Sequence, residues 1–87
     1  MKCLALLGAS GHGKVLAEMA ELIGYERVVF FDDNWPEKNM LSKWDIVGNT
    51  ESLITQISSY DQCIISIGDN KVRSEKHLLL ADRGILF

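Results

Sequence analysis

The stretch "GASGHGK", residues 8–14, lies between the apolar run "CLALL" at residues 3–7 and the helix-forming "VLAEMAELIG" at residues 15–24. It therefore marks a point where a buried strand turns into a helix. Three glycines there let the backbone turn sharply and leave N–H groups facing outward at the positive end of the helix dipole. Such a junction is either an anion site or a plain chain reversal, and the rest of the chain has to decide between them. The spacing is G-x-x-G-x-G, whereas the dinucleotide fingerprint G-x-G-x-x-G would place its second glycine where Ser10 stands.

Working outward, residues 2–7 read as a strand buried on both faces, and the helix that follows repeats Val15, Leu16, Met19, Ala20, Leu22 and Ile23 before Gly24 caps it. "RVVFFD", residues 27–32, is a second strand reached by a short connection, which makes a right-handed parallel unit. Residues 34–43 are polar and hold the single proline, so they read as a loop before a short edge strand around Ile46 and Val47. Thr50 then caps a helix with Leu53, Ile54 and Ile57 on one side. "QCIISI", residues 62–67, is the next buried strand, and "GDN", residues 68–70, turns it into a helix with Val72, Leu79 and Leu80 facing inward. The pattern predicts an α/β, Rossmann-like doubly wound parallel sheet in three layers, with strand order 3-2-1-4. Cys3 and Cys63, each five residues before a loop glycine, should then lie close on neighbouring strands as unbonded thiols.

The 87 residues make one domain, and a hydrophobic content of 47% supports a core. A net charge of −3, with no block of basic residues, argues against a nucleic-acid or anionic-membrane surface and for a small-molecule partner. No apolar run is long enough to span a bilayer and no secretory leader is recognisable, which points to a cytoplasmic protein. Two distant cysteines are too few for a zinc cluster.

In the expected sheet, three stretches meet at the carboxyl ends of the strands: residues 8–14, the pair Asp32 and Asp33, and Gly68 with Asp69 and Asn70. Asp32 follows the glycine loop at roughly the distance of the acidic residue that bonds a ribose hydroxyl in dinucleotide sites. A carboxylate suits hydroxyl or base N–H donors, while the helix N–H groups suit phosphate. One ligand with a sugar end and an anionic end satisfies both. His12, in the first helical turn, could donate to such a phosphate or touch a sugar; a solvated first-turn residue is the plainer reading. Asp32 with Asp33 could likewise be a simple turn, and Asn70 simply a helix cap.

"LLGASGHGKVLAE", "VVFFDD" and "IISIGDNKVR", in this order and spacing, resemble the N-terminal domain of the hexapeptide-repeat acetyltransferases that act on bacterial nucleotide sugars in bacillosamine and sialic acid biosynthesis. The resemblance covers essentially the whole chain. It implies a domain that holds the UDP part of a UDP-amino-sugar, while a following left-handed β-helix binds acetyl-CoA and supplies a catalytic histidine. Ser10, Gly11 and His12 become phosphate and sugar contacts, Asp32 and Asp33 uridine contacts, and Gly68 a backbone close against the nucleotide. Acetyl would pass from acetyl-CoA to a sugar amine or hydroxyl as a base removes the proton. The sequence ends at "GILF" where the repeats should begin, so the resemblance implies a binding domain that does not catalyse alone. Family members trimerise through the β-helix, which leaves a monomer as the expectation for these residues. The competing readings are an NAD(P)-binding fragment of an oxidoreductase and a non-catalytic assembly domain.

Overall fold

The computed structural model describes residues 2–82. Strand β1 (Cys3–Leu7) is flanked on both sides by parallel partners, β2 (Arg27–Phe31) and β5 (Gln62–Ile65). Its side chains alternate between two cores, as a strand's two-residue period requires. Leu4 and Leu6 join Val28, Phe30, Trp44 and Ile46 beneath helix α1 (Gly11–Leu22). Ala5 and Leu7 join Val29, Phe31 and Cys63 on the opposite face, covered by Leu53 of helix α2 (Thr50–Gln56) and Leu80 of helix α3 (Asn70–Asp82). Phe30 and Phe31, both 0% exposed, anchor one layer each. Burying such a ring stabilises a fold by about 1.5–3 kcal/mol, so each helical layer rests on one large aromatic. The three-layer, Rossmann-like α/β architecture is thus as expected.

The sheet order is β3-β4-β2-β1-β5. Within it the expected 3-2-1-4 survives as β4-β2-β1-β5, with a correction at one edge. The segment read as a loop contains β3 (Met40–Leu41), which turns back through Ser42, at φ 55°, and pairs antiparallel with β4 (Trp44–Gly48). The strand around Ile46 and Val47 is therefore longer than expected and is not the edge. Two apolar residues inside a polar stretch are too short to show the alternation that marks a strand.

Helix α1 corrects a second expectation. It packs through Gly13, Ala17 and Ala20, with Leu16 half-buried, whereas Val15, Met19, Leu22 and Ile23 are exposed. The small residues recur at helical spacing and let the helix axis come close to the sheet, which turns the larger side chains outward. The helix ends as expected at Gly24, where Gly24 N–H donates to Glu21 O and Tyr25 N–H to Ala20 O, the paired bonds of a Schellman motif. For α2 the cap is Asn49 rather than Thr50: Asn49 Oδ1 accepts from Ser52 N–H at 3.0 Å.

Cys3 and Cys63 lie on neighbouring strands and the same face, and no disulfide joins them. Their heights differ, because Cys63 is opposite Ala5. Among the described residues, no helix is long and apolar enough to cross a membrane.

Candidate functional site at the carboxyl edge of the sheet

The loop after β1 is held by the protein itself. Gly8 takes φ +113°, and a Cβ there would lie 2.8 Å from Ile67 Cγ1. A Cβ on Gly13 would lie 2.7 Å from Gly8 O and 2.8 Å from Phe30 Cε1, so the first turn of α1 sits against the loop it leaves. Ser66, fully buried, donates from Oγ to Gly8 O at 2.7 Å. Ser10 caps α1: its Oγ accepts from Gly13 N–H at 3.4 Å and donates to Ser66 O at 3.2 Å. Lys14 N–H reaches Ser10 O. This leaves the N–H groups of Gly11 and His12, both exposed, without a partner among the described residues. Nothing lies within 4 Å of a Cβ built on Gly11.

The loop after β2 carries the two carboxylates, and the fold uses each of them. Asp32 accepts from Ala9 N–H through Oδ2 at 2.8 Å and from Asn34 N–H through Oδ1 at 2.9 Å, which ties this loop to the glycine loop. Asp33 Oδ1 accepts from Thr50 N–H at 3.0 Å and from Thr50 Oγ1 at 2.8 Å, while Oδ2 pairs with the Lys76 ammonium on α3. Partial burial opposes ionisation of Asp33, but the bonds from Lys76 and Thr50 outweigh it and hold the carboxyl below its ordinary range. A third polar contact comes from the turn after Asp33, where Lys38 Nζ donates to Ala9 O at 2.7 Å.

The loop after β5 is open. Gly68 is exposed, its φ is not in the left-handed region, and nothing lies within 4 Å of a Cβ built on it. No neighbour among the described residues fills the space in front of Gly68, where a close nucleotide is expected. Asp69, rather than Asn70, caps α3, with Oδ1 accepting from Lys71 N–H at 2.9 Å and Val72 N–H at 3.0 Å. Asn70 Oδ1 accepts instead from the Arg73 guanidinium.

Between these loops runs a cleft of about 200 Å³ lined by Leu7, Gly8, Asp32, Asp33, Ile67, Val72 and Lys76. Of the six residues expected at the site, Asp32 and Asp33 line it; Ser10, Gly11, His12 and Gly68 stand outside its lining. Leu7, Ile67 and Val72 give it apolar walls and the carboxylates give it acceptors, a combination suited to a flat polar ring or a sugar. A larger hollow, about 350 Å³, lies off this edge, along β5 and α3 by Ile64, Arg73 and His77, and contains none of those six residues. Sequence reasoning missed Lys38, Ser66 and Lys76. Ser66 alone left a signal, a hydroxyl inside an apolar strand run; the two lysines sit in polar stretches where nothing sets them apart.

The sequence profile of the PglD N-terminal domain matches residues 3–77. No curated protein matches the chain. Among solved structures, the acetyltransferase domain of PglB from Neisseria gonorrhoeae, in complex with acetyl coenzyme A, superposes with a TM-score of 0.79 at 31% identity over 97% of this chain. A mutant of perosamine N-acetyltransferase from Caulobacter crescentus, in complex with CoA and GDP-perosamine, superposes with a TM-score of 0.78 at 23% identity over 98% of this chain, a likeness of fold. The chain spans 40% of the length of each of these two proteins.

Proposed function

The chain belongs to the PglD N-terminal domain family, and from that premise we propose that its carboxyl edge holds a nucleotide sugar, with UDP as the nucleotide, for acetyl transfer from acetyl-CoA to the sugar. The observation that carries this is the pair of open glycines. Gly11 and Gly68 follow two neighbouring parallel strands at the carboxyl edge, outside the lining of the cleft itself, and neither has a neighbour among the described residues that requires a glycine. Space in front of both is what a ligand pressed against the backbone would need.

In this reading the diphosphate meets the unpartnered N–H groups of Gly11 and His12 at the start of α1, beside Ser10. The nucleoside lies in the cleft, where Asp32 and Asp33 accept from its hydroxyl or base N–H groups; both oxygens of Asp32 and Oδ2 of Asp33 retain lone-pair capacity beyond their present bonds, whereas Asp33 Oδ1 is filled by Thr50. Gly68 lets the β5 loop approach the ligand. The perosamine N-acetyltransferase neighbour holds GDP-perosamine, which supports a sugar nucleotide in general and makes the base a matter for measurement. Acetyl-CoA supplies the acetyl group, and no residue described here is assigned to it or to the base that deprotonates the acceptor. His12 is a binding residue, and the 87-residue chain alone is expected not to acetylate.

Calorimetric titration with UDP, GDP, a UDP-amino-sugar and NAD tests the proposal. UDP and the UDP-amino-sugar should bind, and more tightly than GDP or NAD. Binding of NAD alone would replace this reading with the oxidoreductase one, and no binding at all would leave an assembly domain.

A further inference from the structure

We propose that Lys38 is a positioning residue of the nucleotide-sugar site, acting through the Ala9 peptide; this rests on the functional reading above. Ala9 is held from both sides by opposite charges. Its N–H donates to Asp32 Oδ2 at 2.8 Å, and its carbonyl accepts from Lys38 Nζ at 2.7 Å. One residue earlier, the Gly8 carbonyl is fixed by Ser66 Oγ at 2.7 Å, and one residue later Ser10 caps α1. Each peptide leading into the unpartnered Gly11 and His12 N–H groups is thereby set in orientation before any ligand arrives. Bonds to a charged partner are shorter and stronger than neutral ones, so the ammonium is well suited to hold a carbonyl.

The turn that delivers Lys38 is itself built. Asn34 N–H bonds Asp32 Oδ1, Trp35 N–H bonds Asp32 O, and Lys38 N–H bonds Asn34 O, while the Trp35 ring packs against the core under α1. Asp32 thus organises both the glycine loop and the turn whose lysine returns to that loop. The arrangement also balances charge. Asp32 and Asp33 place two negative groups beside the seat of the diphosphate. Lys76 offsets Asp33 directly, and Lys38 offsets Asp32 across the one residue, Ala9, between them. Without Lys38 the loop would lose one of its anchors and the charge that makes it hospitable to a diphosphate.

The test compares UDP with uridine, which lacks the phosphates, on the wild-type chain and on Lys38→Met, Lys38→Gln and Lys38→Arg. Lys38→Met should bind UDP roughly five- to tenfold more weakly, the loss expected of one charge-assisted hydrogen bond. Its uridine affinity should hold within about twofold, and the Ser10, Gly11 and His12 amide signals should shift in the ligand-free protein. Lys38→Arg should retain UDP affinity within about twofold because it keeps the cation. Should Lys38→Met fail to fold, Lys38→Gln gives the same comparison. Undiminished UDP binding in the neutral variants, or equal loss of UDP and uridine, overturns the role of Lys38. Wild-type protein that binds neither ligand overturns the nucleotide reading itself.

Discussion

Two glycine-bearing loops leave adjacent parallel strands at the same edge of the sheet, and they are built in opposite ways. In the loop after β1 the protein needs two of its three glycines: Gly8 has a backbone that side chains rarely adopt, and a Cβ on Gly13 would enter the space of Gly8 O and Phe30. Four side chains, Asp32, Lys38, Ser66 and Ser10, then bond the loop or cap the helix it starts. In the loop after β5, Gly68 has neither constraint, and around it the side-chain bonds are the local cap of Asp69 on Lys71 and Val72. The first loop is a closed wall in which the fold explains Gly8 and Gly13 and leaves Gly11 open. The second is open, and no neighbour among the described residues requires its glycine. Under the proposed function, that contrast separates residues that shape the site from residues left free to receive a ligand.

The largest effect should come from closing the first loop further. Gly13→Val pushes two methyl groups beyond a Cβ that is already too near Gly8 O and Phe30, and both neighbours are held. Overpacking of this kind costs about 1–3 kcal/mol, which lowers the melting temperature of a domain this size by roughly 5–20 °C. Gly8→Ala should fall in the same range, since it adds left-handed strain to the contact with Ile67. Thermal unfolding followed by circular dichroism checks both. A Gly13→Val protein as stable as wild type would mean that the close approach of α1 to the sheet is not real.

Gly68→Val tests the other side of the contrast. With no neighbour within 4 Å and an ordinary φ, the substitution should change stability by no more than about 0.5 kcal/mol. UDP affinity should nonetheless fall at least several-fold, because the new side chain stands where the ligand would meet the backbone. Parallel melting and calorimetry on the same preparation read both quantities. Loss of stability without loss of affinity would reverse the roles assigned to the two loops.

How much of this was legible in the sequence follows from the same physics. Strand runs such as "CLALL" and "RVVFF" are apolar because both faces are buried, so the layers and the parallel order around β1 were readable. The three converging loops were readable as well, since strand order alone brings them together. What escaped was stagger and long-range bonding. Cys3 and Cys63 each precede a loop glycine by five residues, which suggested matched loops, yet Ala5 is the partner of Cys63. Gly8 consequently stands beside Ser66, which bonds it, and Gly68 lies two residues farther along. A register offset leaves no trace in either strand's own sequence. The same holds for Lys38, whose partner is 29 residues away. The outward face of α1 was misread because Gly13 and Ala17 score weakly as apolar residues although they form its packing surface with Ala20, which the expected repeat did include.

The smallest expected effect concerns the link between the two sides. Asp33 joins the loop after β2 to α2 through Thr50 and to α3 through Lys76. Because the Asp33 side chain is 52% exposed, this pair is worth less than about 1 kcal/mol, and Asp33→Asn should lower the melting temperature by only a few degrees. The pH dependence gives the sign. Burial works against the Asp33 carboxylate, the bonds from Lys76 and Thr50 overcome it, and the folded-state pKa lies below the ordinary value of 3.8. A depressed carboxyl stabilises the fold fully above that ordinary value and loses its contribution as pH falls through the folded-state pKa. The difference between wild type and Asp33→Asn should therefore be flat from neutral pH down toward the ordinary value of 3.8, fall away only as pH drops below it through the folded-state pKa, and shrink with added salt. Hydrogen exchange should localise it: amides of α3, whose anchors include Lys76 and Leu80, should exchange faster in the variant, while those of α1 stay unchanged. Equal acceleration in both helices would show that the clamped loop depends on Asp33 too, and the division between a closed and an open wall would have to be redrawn.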